Sequence, residues 1–278
     1  MTTEGGPPSP LVVVKLGGSL VTRKQEVEKL RPKVIARLAA EIAEARDVRT
    51  VLLHGAGSFG HPGAHRFGLA RPPAAGEATD HRARGAAVVS AEVRRLHLSI
   101  LRALVDAGAN PYSVPIATHA QNREGALVAM DASPFASALE RGSLPVSFGD
   151  VVPDDAWGYS ILSADRIAVE LATLLHPTRV VFATDVPGVL ESAVGRAREV
   201  VAELTDEAIA RLPEGRAPGR DVTGGIRGKA MAMRTIARTG VDAVLISGLT
   251  DGAVNRAIRG EAVYGSWAHA RPERAVRP

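Results

Sequence analysis

The chain has 278 residues, 45% of them hydrophobic and 23% charged, with no cysteine and a formal charge of +4. This is ordinary globular composition, so collagen-like, disordered and coiled-coil classes are excluded, as are disulfide frameworks, zinc fingers, iron–sulfur sites and thiol nucleophiles. Of the 34 basic residues only Lys15, Lys24, Lys29, Lys33 and Lys229 are lysine; the arginines are interleaved with acids and aromatics total 4%, which argues against a nucleic-acid surface.

Residues 1–10 hold three prolines and Glu4 without a basic segment or an apolar run. They read as a disordered tail and not as a secretory signal. No apolar run is long enough to span a bilayer. A β-branched run at 11–16 predicts the first buried strand, and it leads into Lys15-Leu16-Gly17-Gly18-Ser19. Glycines at a strand exit let backbone N–H groups approach an oxyanion, and Lys15 points a compact charge at the same place. Residues 32–46 have helical periodicity, with Lys29 and Lys33 read as surface residues.

A second strand at 50–54 runs into His54-Gly55-Ala56-Gly57-Ser58-Phe59-Gly60-His61, another anion cradle before a helix. Gly55, Gly57 and Gly60 match the dinucleotide fingerprint formally, but the acidic residue that a ribose needs does not follow at the end of a second strand. The dinucleotide reading is therefore set aside. His61, directly after the last glycine, faces whatever the loop holds. Residues 62–76 read as a loop rich in Pro, Gly and Ala, and 79–107 as a long helix whose small side chains are Gly85, Ala86, Ala87, Val88, Val89 and Val93.

Further strands are expected at 112–115 and 144–148, with a helix at 134–141 between them. Gly149-Asp150-Val151-Val152 then opens a hairpin through Gly158, and Ser163 reads as the N-cap of a helix over 163–175 that carries Asp165 in its first turn. A lobe boundary is expected near 175–177. Strand 179–184 exits into Thr184-Asp185-Val186-Pro187-Gly188. After a second loop at 212–221, Asp221-Val222-Thr223-Gly224-Gly225 precedes a helix over 225–239 that holds Lys229, and a last strand is expected at 242–247. This glycine spacing is not that of a Walker A loop. Alternating strands and helices with near-continuous apolar strands indicate an α/β fold with a mainly parallel sheet. Three glycine-rich anion sites, two of them with lysines, suit phosphoryl transfer, which needs positioned N–H groups and cations.

As a set, Lys15-x-Gly-Gly-Ser19, His54-Gly-Ala-Gly-Ser-Phe-Gly-His61, Gly149-Asp-Val-Val152, Thr184-Asp185-x-x-Gly188 and Asp221-Val-Thr-Gly-Gly225 with Lys229 resemble the amino acid kinase superfamily. More narrowly they resemble the isopentenyl phosphate kinases, with His61 as the most telling residue, over about residues 11–265. The resemblance implies one three-layer α/β/α domain around a mainly parallel sheet. An acceptor lobe would span about 11–175 and an ATP lobe about 176–265, followed by a C-terminal tail at 266–278. It implies transfer of the γ-phosphoryl of ATP to isopentenyl phosphate with Mg2+, no metal ligand from the protein, and a cytoplasmic homodimer that binds neither nucleic acid nor membrane.

Carried over by position, the catalytic residues would be Lys15, Lys24, His61, Asp165 and Lys229, with Asp165 orienting Lys15 and Lys229. Lys15, Gly17, Gly18, Ser19, Thr184, Asp185, Gly188, Gly225 and Lys229 would bind ATP. Gly55, Ala56, Gly57, Gly60, His61, Gly149 and Asp150 would bind the acceptor phosphate, and Ala86, Val89 and Val93 would line a prenyl pocket. The sequence departs from the pattern at Ala164, Arg166 and Pro187, where similar sequences often carry Gly, Asp and an acid, and at Arg23, where an acid is frequent. A fosfomycin kinase-like relative and a catalytically silent nucleotide-binding protein remain the alternatives at this point.

Overall fold

The structure, a computed structural model, describes residues 9–23, 26–191, 199–213 and 225–270. Along the chain the elements are β1 (Leu11–Leu16), the one-turn α1 (Gly18–Val21), α2 (Pro32–Glu44), β2 (Arg49–His54), α3 (Gly57–Arg66), α4 (Thr79–Asp106), β3 (Pro111–Ser113), β4 (Ala120–Arg123), β5 (Ala126–Met130), α5 (Ser133–Glu140) and β6 (Leu144–Phe148). There follow β7 (Asp150–Asp154), β8 (Gly158–Leu162), α6 (Ala164–Leu175), β9 (Arg179–Thr184), α7 (Asp206–Ala210), α8 (Gly225–Arg238), β10 (Asp242–Ser247), α9 (Ala253–Arg259) and β11 (Gly265–Ala268).

Seven strands form one sheet in the order β11-β10-β9-β1-β2-β6-β3, all parallel except the edge strand β11. The apolar runs have no polar alternation because both faces of this sheet are covered. Side chains alternate across it with period two. Val13, Leu53, Val180, Phe182 and Leu245 face a core with α5, α6 and α8. Val12, Val14, Leu52, Val181 and Ile246 face a second core with α2, α4 and α9. The result is the expected three-layer α/β/α arrangement. Among the described residues no helix is long and apolar enough to cross a membrane.

The strands expected at 11–16, 144–148, 179–184 and 242–247 have those bounds, and the long helices differ by one or two residues at their ends. Four features differ more. Residues 57–66 form helix α3, so His61 stands on a helix and the expected loop at 62–76 begins after it. Strand β3 stops at Ser113, although the Val114 N–H still reaches the Val146 carbonyl at 2.9 Å. Residues 120–130 form two short strands, which join the anticipated β7–β8 hairpin in a second sheet, β5-β4-β7-β8. Their half-exposed side chains carry too little apolar periodicity to be legible. Finally, the fold runs past 265: Gly265–Ala268 is β11, where a Cβ on Gly265 would lie 2.2 Å from the Leu245 carbonyl oxygen, so close pairing with β10 requires glycine there. Ser9 and Pro10 of the expected N-terminal tail are described, and residues 1–8 of it and 271–278 of the C-terminal tail lie outside the described residues.

Strand order places the chemistry. β1 has β2 on one side and β9 on the other, so successive connections leave β1 in opposite directions. A crevice opens outside the carboxyl ends of the strands at such a point, and Lys15, Gly17 and Gly18 stand on its floor.

Candidate active site

A cleft of about 760 Å3 lies over the carboxyl ends of β1, β2, β6 and β9. Its floor is stitched together by backbone bonds between neighbouring strand exits. Gly17 N–H donates to Ala183 O at 2.7 Å, Gly55 N–H to Leu16 O at 3.0 Å, and Gly149 N–H to His54 O at 3.1 Å. Side-chain hydroxyls tie one end of the cleft further: Ser19 Oγ donates to Asp185 Oδ1 at 2.7 Å and Thr184 Oγ1 to the same oxygen at 3.2 Å.

At the centre stands a three-residue ion cluster. Lys15 Nζ lies 2.7 Å from Asp165 Oδ1, and Lys229 Nζ lies 2.7 Å from Asp165 Oδ2. Lys15 ends a central strand, Asp165 stands in the first turn of α6, and Lys229 stands in α8, so the cluster ties three elements distant in sequence. Ser163 caps α6, accepting from the Arg166 N–H at 3.2 Å, which fixes the turn that carries the carboxylate. Burial alone would push the Asp165 carboxyl up, but Lys15 and then Lys229 hold it well below the usual carboxylate range. Burial also lowers Lys15 to about 8, an effect that Asp165 opposes and Lys229 reinforces.

The β2–α3 turn forms the opposite wall. A Cβ on Gly18 would lie 2.5 Å from Gly57 N and 2.6 Å from its Cα, so the β1 and β2 exits meet backbone to backbone. Gly57 has φ +51, the left-handed region that glycine enters without strain. His61 is one turn further along α3, on the face of Gly57. Pro62 sits inside this helix and has no N–H to give the Ser58 carbonyl. That carbonyl accepts instead from the Glu28 N–H at 3.2 Å, and Ser58 Oγ accepts from the Lys29 N–H at 3.3 Å. The missing helical bond thus docks the turn that carries Glu26 and Val27 at the cleft mouth.

Of the residues singled out in the sequence, Lys15, Gly17, Gly18, Ser19, Gly55, Ala56, Gly57, Gly60, His61, Val89, Val93, Gly149, Asp150, Asp165, Thr184, Asp185, Gly188, Gly225 and Lys229 all line this one cleft. Lys24 and residues 221–224 lie outside the described residues. Ala86 is a correction: it packs with Phe67, Leu69 and Phe148 in a small core beneath the cleft and is not part of its lining. Gly149 also has a packing reason, since a Cβ there would come within 2.9 Å of Ala164 N. Asp150 is buried, and its carboxylate turns to Arg94 of α4 at 3.0 Å while burial raises its pKa. Sequence reasoning missed Val27, Pro62, Ala64 and Ile161, which make the end of the cleft near α3 and α4 apolar. No local signal marks them as a set, because they come from three separate segments, the 26–29 turn, α3 and β8. Lys29 and Lys33 are exposed, as read.

Among the described residues no group of three His, Asp or Glu side chains is arranged to hold a metal ion. Both Asp165 oxygens face ammonium groups and Asp185 Oδ1 accepts two hydroxyls. The donors in the cleft are N–H groups and ammoniums, which suit an anion.

The sequence matches the amino acid kinase family over residues 10–247. It is 32% identical to the isopentenyl phosphate kinase of Methanothermobacter thermautotrophicus over 265 residues, covering 92% of this chain and 98% of that protein. The fold is similar to that in "X-ray structures of isopentenyl phosphate kinase", with a TM-score of 0.81 at 28% identity over 92% of this chain and 99% of that one. It is also similar to an isopentenyl phosphate kinase substrate complex, with a TM-score of 0.74 at 26% identity over 94% of this chain and all of the other.

The ion cluster predicts a stability signature. Replacing Asp165 by Asn leaves two ammonium groups near each other without their counter-charge, which costs about 3–5 kcal/mol for a buried pair that loses one partner. Asp165 titrates below its ordinary value of 3.8 in the folded chain, so its contribution is present above that value and is lost as pH falls below it. Urea unfolding of wild type and Asp165→Asn should therefore differ widely at pH 7 and converge on acidification. An equal difference at pH 7 and pH 3 would contradict the assignment.

Proposed function

The chain belongs to the amino acid kinase family, and within it to the isopentenyl phosphate kinases, and on that premise we propose that it transfers the γ-phosphoryl of ATP to isopentenyl phosphate, giving isopentenyl diphosphate and ADP. The observation that carries this reading is the pair of ammonium groups that Asp165 holds at 2.7 Å each on the floor of a cleft with one apolar end.

A phosphate acceptor must approach an already polyanionic donor, so the barrier is dominated by repulsion and by the charge that spreads over the moving phosphoryl. Fixed cations and N–H dipoles lower such a barrier without reorganising during the reaction. Lys15 would bridge the donor and acceptor phosphates, because it ends the central strand between the two glycine turns. Lys229 would hold the ATP phosphates with the N–H group of Gly18, since the Gly17 N–H is already given to the Ala183 carbonyl. Asp165 would keep both ammoniums aimed while taking no part in bond making. At the other wall the Ala56 and Gly57 N–H groups at the start of α3 would bind the acceptor phosphate, and His61 would donate to it from the next turn. An acceptor phosphate oxygen attacks the γ-phosphorus, the bond to the β–γ bridging oxygen breaks, and ADP leaves. No covalent enzyme intermediate is required.

The isopentenyl tail would lie against Val27, Ala64, Val89, Val93 and Ile161. ATP would extend toward Thr184, Asp185, Gly188 and Gly225, so the acceptor lies on the N-terminal side of the cleft and the nucleotide on the C-terminal side. Mg2+ would arrive on the nucleotide phosphates, whose oxygens are the hard ligands it prefers. Lys24 keeps the role of a phosphate cation by resemblance alone. Two chains would associate through α4 and the edge strand β3, where Leu98 and Val105, seven residues apart on one helix face, and Tyr112 are each more than half exposed. The reading places the protein in the cytoplasm, where ATP is supplied.

Turnover of isopentenyl phosphate with ATP, compared with fosfomycin and N-acetylglutamate, tests the reading; preference for either of the latter would overturn it. His61→Ala should lower kcat/KM for isopentenyl phosphate ~100-fold, as for loss of one preorganised donor. Near-normal rates would remove His61 from the site. Since Lys15 must be an ammonium and burial lowers it to about 8, kcat/KM should fall as pH rises through about 8. A flat profile to pH 9.5 would show that its charge is dispensable. Sedimentation should give twice the chain mass, and Leu98→Asp the single mass; a wild-type monomer would refute the dimer.

A further inference from the structure

His54 closes β2 immediately before the glycine turn, yet it is fully buried and takes no part in lining the cleft. Its ring stacks on Phe148 with centroids 5.3 Å apart and an interplanar angle of 18°. Three contacts form a chain leading away from the cleft. His54 Nδ1 lies 3.2 Å from the Gly55 carbonyl oxygen, His54 Nε2 lies 3.0 Å from His97 Nδ1, and His97 Nε2 lies 2.7 Å from Ser113 Oγ.

Donor and acceptor inventory fixes every proton in this chain. A carbonyl oxygen can only accept, so His54 Nδ1 carries a hydrogen. In a neutral imidazole the other nitrogen then accepts, so His97 Nδ1 donates to His54 Nε2. His97 Nε2 must in turn accept, and the Ser113 hydroxyl supplies that hydrogen. Both rings are neutral across the working range: burial foremost, then His97 and Lys15, lowers His54 to about 3, and burial followed by Arg94 lowers His97 to about 4.

The consequence falls on the neighbouring peptide. In a trans peptide the C=O and the following N–H point in opposite directions, and the structure has no cis bond among the described residues. With the Gly55 carbonyl turned inward to the His54 ring, the Ala56 N–H is turned outward, and Ala56 lines the cleft.

We propose that His54 is a positioning residue for the acceptor-phosphate turn: held as its Nδ1–H tautomer through His97 and Ser113, it fixes the Gly55–Ala56 peptide so that the Ala56 N–H faces the incoming anion. The identity of that anion rests on the isopentenyl phosphate reading; the tautomer and the peptide orientation do not.

Two near-isosteric variants separate this role from packing. His54→Asn keeps an N–H2 near the Nδ1 position, able to donate to Gly55 O but too short to reach His97. His54→Gln places its amide near Nε2, keeping the link to His97 and losing the donor to Gly55. The expected result is that His54→Gln raises KM for isopentenyl phosphate about tenfold, the upper range for one hydrogen bond, with KM for ATP unchanged, while His54→Asn stays within about twofold of wild type. A wild-type KM for His54→Gln, or KM values for both substrates rising together in both variants, would overturn the proposal. Where the variants fail to fold, nitrogen NMR of wild type with labelled histidine decides: His54 and His97 should both appear as neutral Nδ1–H tautomers at pH 7, and an Nε2–H His54 would refute the chain. Should wild type fail to phosphorylate isopentenyl phosphate, the acceptor reading falls, and the tautomer measurement alone judges the geometry.

Discussion

One carboxylate between two ammoniums organises this molecule. Asp165 receives Lys15 from the central strand and Lys229 from α8, each at 2.7 Å. Burial and Lys229 both lower Lys15, and only Asp165 raises it. The same contact fastens α6 and α8 to the sheet across the cleft floor. A buried ion cluster is a weak source of net stability. Its retention here is understood better as the means by which two cations are kept where a moving phosphoryl would need them.

The glycines that read as anion cradles also serve the backbone. Gly18 and Gly57 are in contact without room for a Cβ, and Gly149 stands nearly as close to Ala164. Close approach of strand exits and exposure of N–H groups are two results of one geometric condition, since a turn with no side chain can both pack and present its peptide. Pro62 adds a third device. By withholding one helical hydrogen bond it frees the Ser58 carbonyl for the Glu28 N–H, so a segment distant in sequence closes on the cleft.

The uneven use of basic residues has a structural counterpart. Arginines hold several acceptors at once: Arg82 donates to the carbonyls of Gly68, Arg71 and Tyr159, Arg234 grips Asp206 with two nitrogens, and Arg259 joins Asp47 to the Glu44 carbonyl. Their planar forks suit such bridging, whereas a compact ammonium suits a position between anions. Lys15 and Lys229 stand at the cleft, while Lys29 and Lys33 are exposed.

The sequence by itself determined the layers, the strand exits and most of the polar groups that line the cleft, though not Glu26, His65 or Glu191. Those features are local, because a buried parallel strand is a continuous apolar run and a glycine turn after it is read directly. His61 could be named from its place after Gly60, but its setting on a helix could not. Pro62 signals a loop locally, and only the docked 26–29 turn makes a proline inside α3 tolerable. The exposed strands β4 and β5, the extra strand at 265–268 and the burial of Ala86 away from the cleft were likewise decided by what packs against them. So were the apolar end of the cleft and the His54–His97–Ser113 chain, each assembled from segments far apart in sequence. Local chemistry writes itself into spacing and residue type; which side chains meet across a sheet depends on the order of its strands, and that is settled only when the whole sheet forms.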